Sequence, residues 1–183
     1  MTITVGSIAT KYLRVLLKPG HGRADNMPAK EEITLLGTPR LTDARILVVD
    51  DERVNVVLLE RILEQDGYRN VKSLTDPSAV VALYDEFEPD LVLLDLHMPK
   101  LDGFAVMELL GSRITGDTFL PILILTADIR PEIKRRALSA GAKDFVTKPF
   151  DRTEVLLRIQ NLLETRFLHL RMRHDAVPEG RAT

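Results

Sequence analysis

Cysteine and tryptophan are absent from the 183 residues, and aromatic side chains make up only 5%. Without cysteine there can be no disulfide, no thiolate metal centre and no cysteine nucleophile. With so few aromatics, Leu, Val, Ile and Ala must fill the core. A strong charge bias is also missing. Lys+Arg number 25 against 27 Asp+Glu, a formal net charge of -2, so no global field recruits nucleic acid or anionic lipid. No apolar run approaches the ~20 residues that cross a bilayer. The opening stretch MTITVGSIATKYLRVLLK lacks a basic segment followed by an apolar one, as a secretory signal would need. What is present, 45% hydrophobic and 28% charged residues, suits an ordinary globule. The expectation is a cytoplasmic protein that engages neither membrane nor nucleic acid.

The chain divides by pattern. Residues 1–43 are punctuated by Pro19, Gly20, Gly22, Pro28, Gly37 and Pro39, and read as an extension that is flexible or forms short helices, such as one over Lys11–Lys18. Residues 44–165 alternate short apolar runs with helix-length amphipathic segments. The runs Ile46–Val49, Val71–Leu74, Leu91–Leu94, Ile122–Leu125 and Phe145–Val146 read as strands, most of them apolar throughout, as in a parallel sheet buried on both faces. Helix ends are marked between them. Val54, Leu58 and Ile62 suggest an apolar stripe ended by Gly67, and Asp76–Pro77 reads as N-cap and first turn. Pro131 opens and Gly141 closes the fourth helix, while Asp151 with Glu154 resembles a capping box. Five βα units argue for a three-layer α/β sandwich.

Polar residues collect where open α/β sheets place their sites, at the carboxyl ends of strands. Asp50 and Asp51 follow ILVV, Asp95 follows LVLL, Thr126 follows ILIL and Lys148 follows DFVT. A single acid after a strand is an ordinary loop residue; this set at four strand ends is not. Three neighbouring carboxylates repel by about 4 kcal/mol per pair at 4 Å and an effective dielectric of 20. They must share protons, bind a cation or pair with the lysine. All-oxygen ligands suit a hard cation, Mg²⁺ first, which completes its shell readily with phosphate oxygens. Lys148 and the Thr126 hydroxyl supply donors for a phosphoryl group on a carboxylate.

The stretches ILVVDDE, LVLLDLHMPKLDGF, ILILTA and DFVTKPF resemble the signatures of the response-regulator receiver domain of two-component signalling, over roughly residues 44 to 165. The resemblance implies a flavodoxin-like (βα)5 sandwich with a parallel sheet of order 2-1-3-4-5. It implies Asp95 as phospho-acceptor, Asp50 and Asp51 as the acidic pair, and a Mg²⁺ site completed by Asp95 and the backbone carbonyl of His97. Thr126 matches the switch hydroxyl, Phe145 the rotating aromatic, Lys148 the phosphate-binding lysine and Lys148–Pro149 a cis peptide bond. His97 and Asp128 would flank the phosphoryl group and set its lifetime. Gly103 is read as a turn glycine. The implied partners are a sensor histidine kinase or phosphotransfer protein and an unidentified downstream protein, with output through helix 4, strand 5 and helix 5. The domain would catalyse only its own phosphorylation and dephosphorylation.

Two rivals are set aside on residues. A haloacid-dehalogenase-type phosphatase needs a second Asp two positions after the nucleophile, where His97 stands. A pseudo-receiver would lack key positions, and all are filled. His174–Asp175 matches metal phosphohydrolases in residue type alone. The fifth helix runs without Pro or Gly from Asp151 to beyond His174, farther than the sheet can cover. Residues 166–183 are therefore read as an extension and tail, with Arg166, Arg171 and Arg173 forming either a solvated face or part of a signalling or dimer helix. Phe167, Leu168 and Leu170 would be partly in water, covered by a homodimer through helix 5 or by the N-terminal arm.

Overall fold

The computed structural model describes residues 40–114 and 119–176, with side chains to Arg173. The helix expected at 11–18, the extension up to residue 39, the side chains of the His174–Asp175 pair and the tail after 176 lie outside the described residues.

A 3₁₀ turn at Leu41–Asp43 leads into β1 (Arg45–Val49), α1 (Arg53–Gln65), β2 (Asn70–Leu74), α2 (Val80–Phe87), β3 (Leu91–Asp95), α3 (Gly103–Gly111), β4 (Ile122–Thr126), α4 (Pro131–Ser139), β5 (Asp144–Thr147) and α5 (Arg152–Ala176). All strand pairs are parallel and the order is β2-β1-β3-β4-β5, as the motifs imply. The continuous apolar runs follow from burial on both faces. Ile46 and Val48 join α1 and α5 through Val56, Leu59, Leu63, Val155 and Ile159. Leu47 and Val49 point the other way, into a layer with Val80, Val106, Leu110 and Ala137 of α2, α3 and α4. The reversal of strand order between β1 and β3 opens a crevice at their carboxyl ends.

Most local punctuation behaves as its chemistry demands. Gly67 and Gly141 adopt φ of 93° and 109°, the left-handed conformation that ends a helix. Asp76 accepts from the Ser78 amide at 3.1 Å, although the turn it caps, Pro77–Ala79, is 3₁₀ before α2 begins. Asp151 caps the Glu154 amide at 2.9 Å; the Glu154 carboxylate turns instead to Arg158, at 3.0 Å.

Four expectations are corrected. The buried face of α1 is Val56, Leu59, Ile62 and Leu63, while Val54 is 78% and Leu58 45% exposed. A two-residue offset at 100° per residue turns Val54 and Leu58 to the side opposite Val56, so of the three apolar residues at i, i+4 spacing only Ile62 lies on the buried face. Gly103 is no turn glycine; it begins α3. A Cβ there would overlap the Asp95 carbonyl oxygen and come within 2.8 Å of the Leu96 Cα, so it permits a close approach of helix to strand end. Arg166 is not solvated. It is 7% exposed, donates from Nη1 to the Phe119 carbonyl at 2.6 Å and has Nε 3.9 Å from Asp90. Its stem covers the lower edge of the core while its head finds polar partners. Phe167 is likewise buried, at 8%, so packing continues past residue 165; Leu168 stays 58% and Met172 72% exposed. At 1.5 Å per residue the 25-residue α5 is about 37 Å long.

Candidate functional site

Strand ends bring the expected residues together. Asp50 follows β1, and Asp95 is the last residue of β3; both are buried. One carboxylate oxygen each from Asp50, Asp51 and Asp95 lie within 4.8 Å of one another. Lys148, just beyond β5, reaches across the sheet to place Nζ 2.7 Å from Asp50 Oδ2 and 3.1 Å from Asp95 Oδ2. Its peptide bond to Pro149 is cis, and its amide donates to the Thr126 carbonyl at 2.8 Å. The other oxygen of Asp50 accepts from the Glu52 amide at 3.0 Å and from Asn55 Nδ2 at 3.1 Å. Asp50 is therefore fixed by three donors, whereas Asp51 Oδ1 is buried with no hydrogen-bond partner.

That orphaned oxygen tests the fit of a cation. A buried carboxylate oxygen without a donor is costly unless a positive centre satisfies it. Three carboxylates and one ammonium leave two formal negative charges, which one divalent ion would cancel. An all-oxygen donor set matches Mg²⁺ in kind.

A second group lines the mouth of the site. Thr126 ends β4 and is buried; its Oγ1 accepts the Asp128 amide at 3.0 Å and lies 3.3 Å from His97 Nδ1. The far side of the same imidazole, Nε2, is 3.7 Å from Asp128 Oδ2. Arg130 grips Asp128 in bidentate fashion, with Nε 2.9 Å from Oδ1 and Nη2 2.5 Å from Oδ2. Hydrogen bonds from Arg130 hold the Asp128 carboxyl down at about 2. Phe145, on β5, is half-buried, with Lys134 Nζ 4.0 Å from its ring centre. Ala127, beside Thr126, is exposed and leaves the mouth uncluttered.

All eight expected site residues thus lie at the carboxyl edge of the sheet or on the strand beside it. Sequence reasoning missed Asn55 and Arg130. Each is a polar residue within a few positions of an identified acid, at a helix start, and that proximity is the available signal.

This arrangement, a βα sandwich of order 2-1-3-4-5 with an acid triad, a lysine and a hydroxyl at one edge, defines a class. Residues 46–160 match the family model of the response regulator receiver domain. The DNA-binding dual master transcriptional regulator RpaA of Synechocystis sp. is 37% identical over 137 residues, which is 74% of this chain and 52% of that protein. Response regulator MprA of Mycolicibacterium vanbaalenii is 44% identical over 119 residues, 65% of this chain and 50% of that protein. The crystal structure of chemotaxis protein CheY4 of Vibrio cholerae aligns with a TM-score of 0.61 at 28% identity, covering 66% of this chain and 98% of that one. The chain belongs to the response-regulator receiver family of two-component signalling. It spans about half the length of the curated relatives it matches. Such domains are in general signal transducers that interact with histidine kinases, and are not enzymes. The DNA binding in the name of RpaA belongs to that protein, half of which lies outside the match. Among the described residues, no helix is long and apolar enough to cross a membrane.

Proposed function

We propose that Asp95 is the phospho-acceptor of a cytoplasmic phosphorelay, receiving its phosphoryl group from phosphohistidine on a sensor histidine kinase or a phosphotransfer protein. In the transfer an Asp95 oxygen forms a P–O bond as the P–N bond breaks, and histidine leaves with its electron pair. Lys148 pairs with the resulting acyl phosphate, exchanging its contact with Asp95 for one to a phosphoryl oxygen. Asp50, Asp51, Asp95 and the His97 carbonyl would hold Mg²⁺, which supplies charge neutralisation for the incoming oxygens. Thr126 then turns its hydroxyl to the phosphoryl group and Phe145 moves, remodelling α4, β5 and α5 for a downstream protein. Water later hydrolyses the acyl phosphate within the same site. The observation that carries this reading is the buried, unpartnered Asp51 oxygen grouped with Asp50 and Asp95 beside Lys148.

The receiver proper is proposed as residues 44–165, with 1–43 and 166–183 as extensions, the second of which begins with Arg166 and Phe167 still packed on the core. A second copy of the chain is the proposed partner of the outer face of α5, where Leu168 and Met172 are exposed. Glu164 and Arg171 flank Leu168 by four and three positions, so two helices packed antiparallel about Leu168 set each Glu164 near the other chain's Arg171.

Incubation with acetyl phosphate, with and without Mg²⁺, tests the acceptor. The wild type should gain one hydroxylamine-sensitive phosphoryl group only with metal, and Asp95→Asn none. Stable incorporation into Asp95→Asn would refute the assignment.

A further inference from the structure

The contacts around Thr126 form a closed ring, and the ring has a direction. Thr126 Oγ1 spends one lone pair on the Asp128 amide, at 3.0 Å. Its own proton, on a residue 1% exposed, needs an acceptor, and His97 Nδ1 stands 3.3 Å away. A neutral imidazole carries its proton on one nitrogen only, so Nδ1 accepts only when Nε2 is the protonated one. The fixed negative charge of Asp128, 3.7 Å from Nε2, favours that tautomer. Arg130 in turn fixes this carboxylate through its side chain, at 2.9 and 2.5 Å, and through its backbone amide, at 3.0 Å. Arg130 orients Asp128, Asp128 favours the Nε2–H tautomer of a neutral His97, and in that tautomer Nδ1 accepts a hydrogen bond from the Thr126 hydroxyl.

We infer that the His97 imidazole is a latch on the Thr126 hydroxyl in the unphosphorylated chain, with Asp128 and Arg130 as positioning residues that set it. The inference rests on the proposed switch role of Thr126. Engaged by His97, the hydroxyl is unavailable to Asp95. A phosphoryl oxygen is a charged acceptor, and a hydrogen bond to it is roughly twice as strong as one to a neutral ring nitrogen. Phosphorylation therefore draws the proton away from His97, and the strength of the latch sets how much of the acceptor's binding energy is spent on releasing it. The backbone carbonyl of His97 is untouched by any change in its side chain, so latch and cation site can be separated by mutation.

The test uses the full chain with beryllofluoride and Mg²⁺ as a phosphoryl stand-in. His97→Ala removes one neutral hydrogen bond to be broken on switching, and should bind beryllofluoride roughly three- to ten-fold more tightly than wild type. His97→Asn, whose amide oxygen can occupy the Nδ1 position, should return to within about two-fold of wild type. In a Thr126→Ala background, His97→Ala should have no further effect. Imidazole ¹⁵N spectra should show the Nε2–H tautomer in the free chain, a shift of Nδ1 on adding beryllofluoride, and a mixture of tautomers in Arg130→Ala. An unchanged or weaker affinity in His97→Ala overturns the latch. So does an effect that survives in Thr126→Ala, which would make His97 a steric obstacle at the mouth. If the wild type takes up no beryllofluoride at all, the acceptor reading falls first and the latch with it.

Discussion

Gly103→Ala tests how tightly the acid site is built onto α3. The new methyl would overlap the carbonyl oxygen of Asp95 and lie 2.8 Å from the Leu96 Cα and 3.1 Å from the Asp95 carbonyl carbon. All three are backbone atoms, so no side chain can swing aside. The start of α3 must retreat, and with it goes the bond from the Gly103 amide to the Leu96 carbonyl, now 3.0 Å. Overpacking of this kind costs about 1–3 kcal/mol, and a lost backbone hydrogen bond adds about 1. Alanine's better helix propensity returns at most about 1 kcal/mol, less at a first turn. The net loss is about 1–4 kcal/mol, or roughly 3–15 °C in Tm for a domain of this size. Gly111→Ala is the internal control. It sits at the other end of the same helix with nothing within 4 Å of a built Cβ, and should be neutral or slightly stabilising. Thermal unfolding followed by circular dichroism reads both. A Gly103→Ala protein melting within about 2 °C of wild type would refute the close-approach argument, and a Gly111→Ala protein equally damaged would show that loss of glycine, not the contact, is responsible.

Other outcomes follow from the same geometry. Mg²⁺ at 100 times its Kd should stabilise the fold by about 2.7 kcal/mol, and Asp51→Ala should remove that gain; an unchanged Tm across the titration would contradict a formed cation site. Arg166→Ala should cost about 2–4 kcal/mol in denaturant unfolding, because it orphans the Phe119 carbonyl and uncovers the core edge, while Arg166→Met should recover part of it; a loss below about 0.5 kcal/mol in the alanine variant would show the contact to be idle. Burial raises the Tyr68 phenol from 10.0 to about 12, so the unfolded chain sheds this proton first. Stability from Tyr68 is intact below pH 10 and lost as pH rises toward 12, and Tyr68→Phe should flatten that decline; an unaltered alkaline profile would argue against it. Leu168→Glu with Met172→Glu should convert dimer to monomer in light scattering, and a monomeric wild type at micromolar concentration would remove the α5 pairing.

The sheet was legible because a strand buried on both faces has no alternative to a continuous apolar run. Leu91–Leu94 and Ile122–Leu125 announce themselves and bring the acid or hydroxyl that follows them to a known edge. Helix faces were harder to read. Val54 and Leu58 are apolar yet exposed, since an exposed apolar residue carries little penalty and the pattern alone does not say which of two overlapping stripes meets the sheet. Arg166 was misjudged for the converse reason: a guanidinium is buried only where a carbonyl such as that of Phe119, 47 positions away in sequence, awaits it. Gly103 looks like any loop glycine until the Asp95 backbone is seen against it. Asp50, Asp51, Asp95, Thr126 and Lys148 could be named from strand ends, but the contacts that tune them, from Asn55 and Arg130, depend on rotamers that no spacing rule encodes.

The most direct test of the central claim is the location of the phosphoryl group. The 183-residue chain treated with acetyl phosphate and Mg²⁺, reduced with borohydride to trap acyl phosphate as an alcohol, and digested, should show the reduced residue at Asp95 and at no other acid. Trapping at Asp50 or Asp51, or none at all under conditions where the fold is intact, would contradict the account.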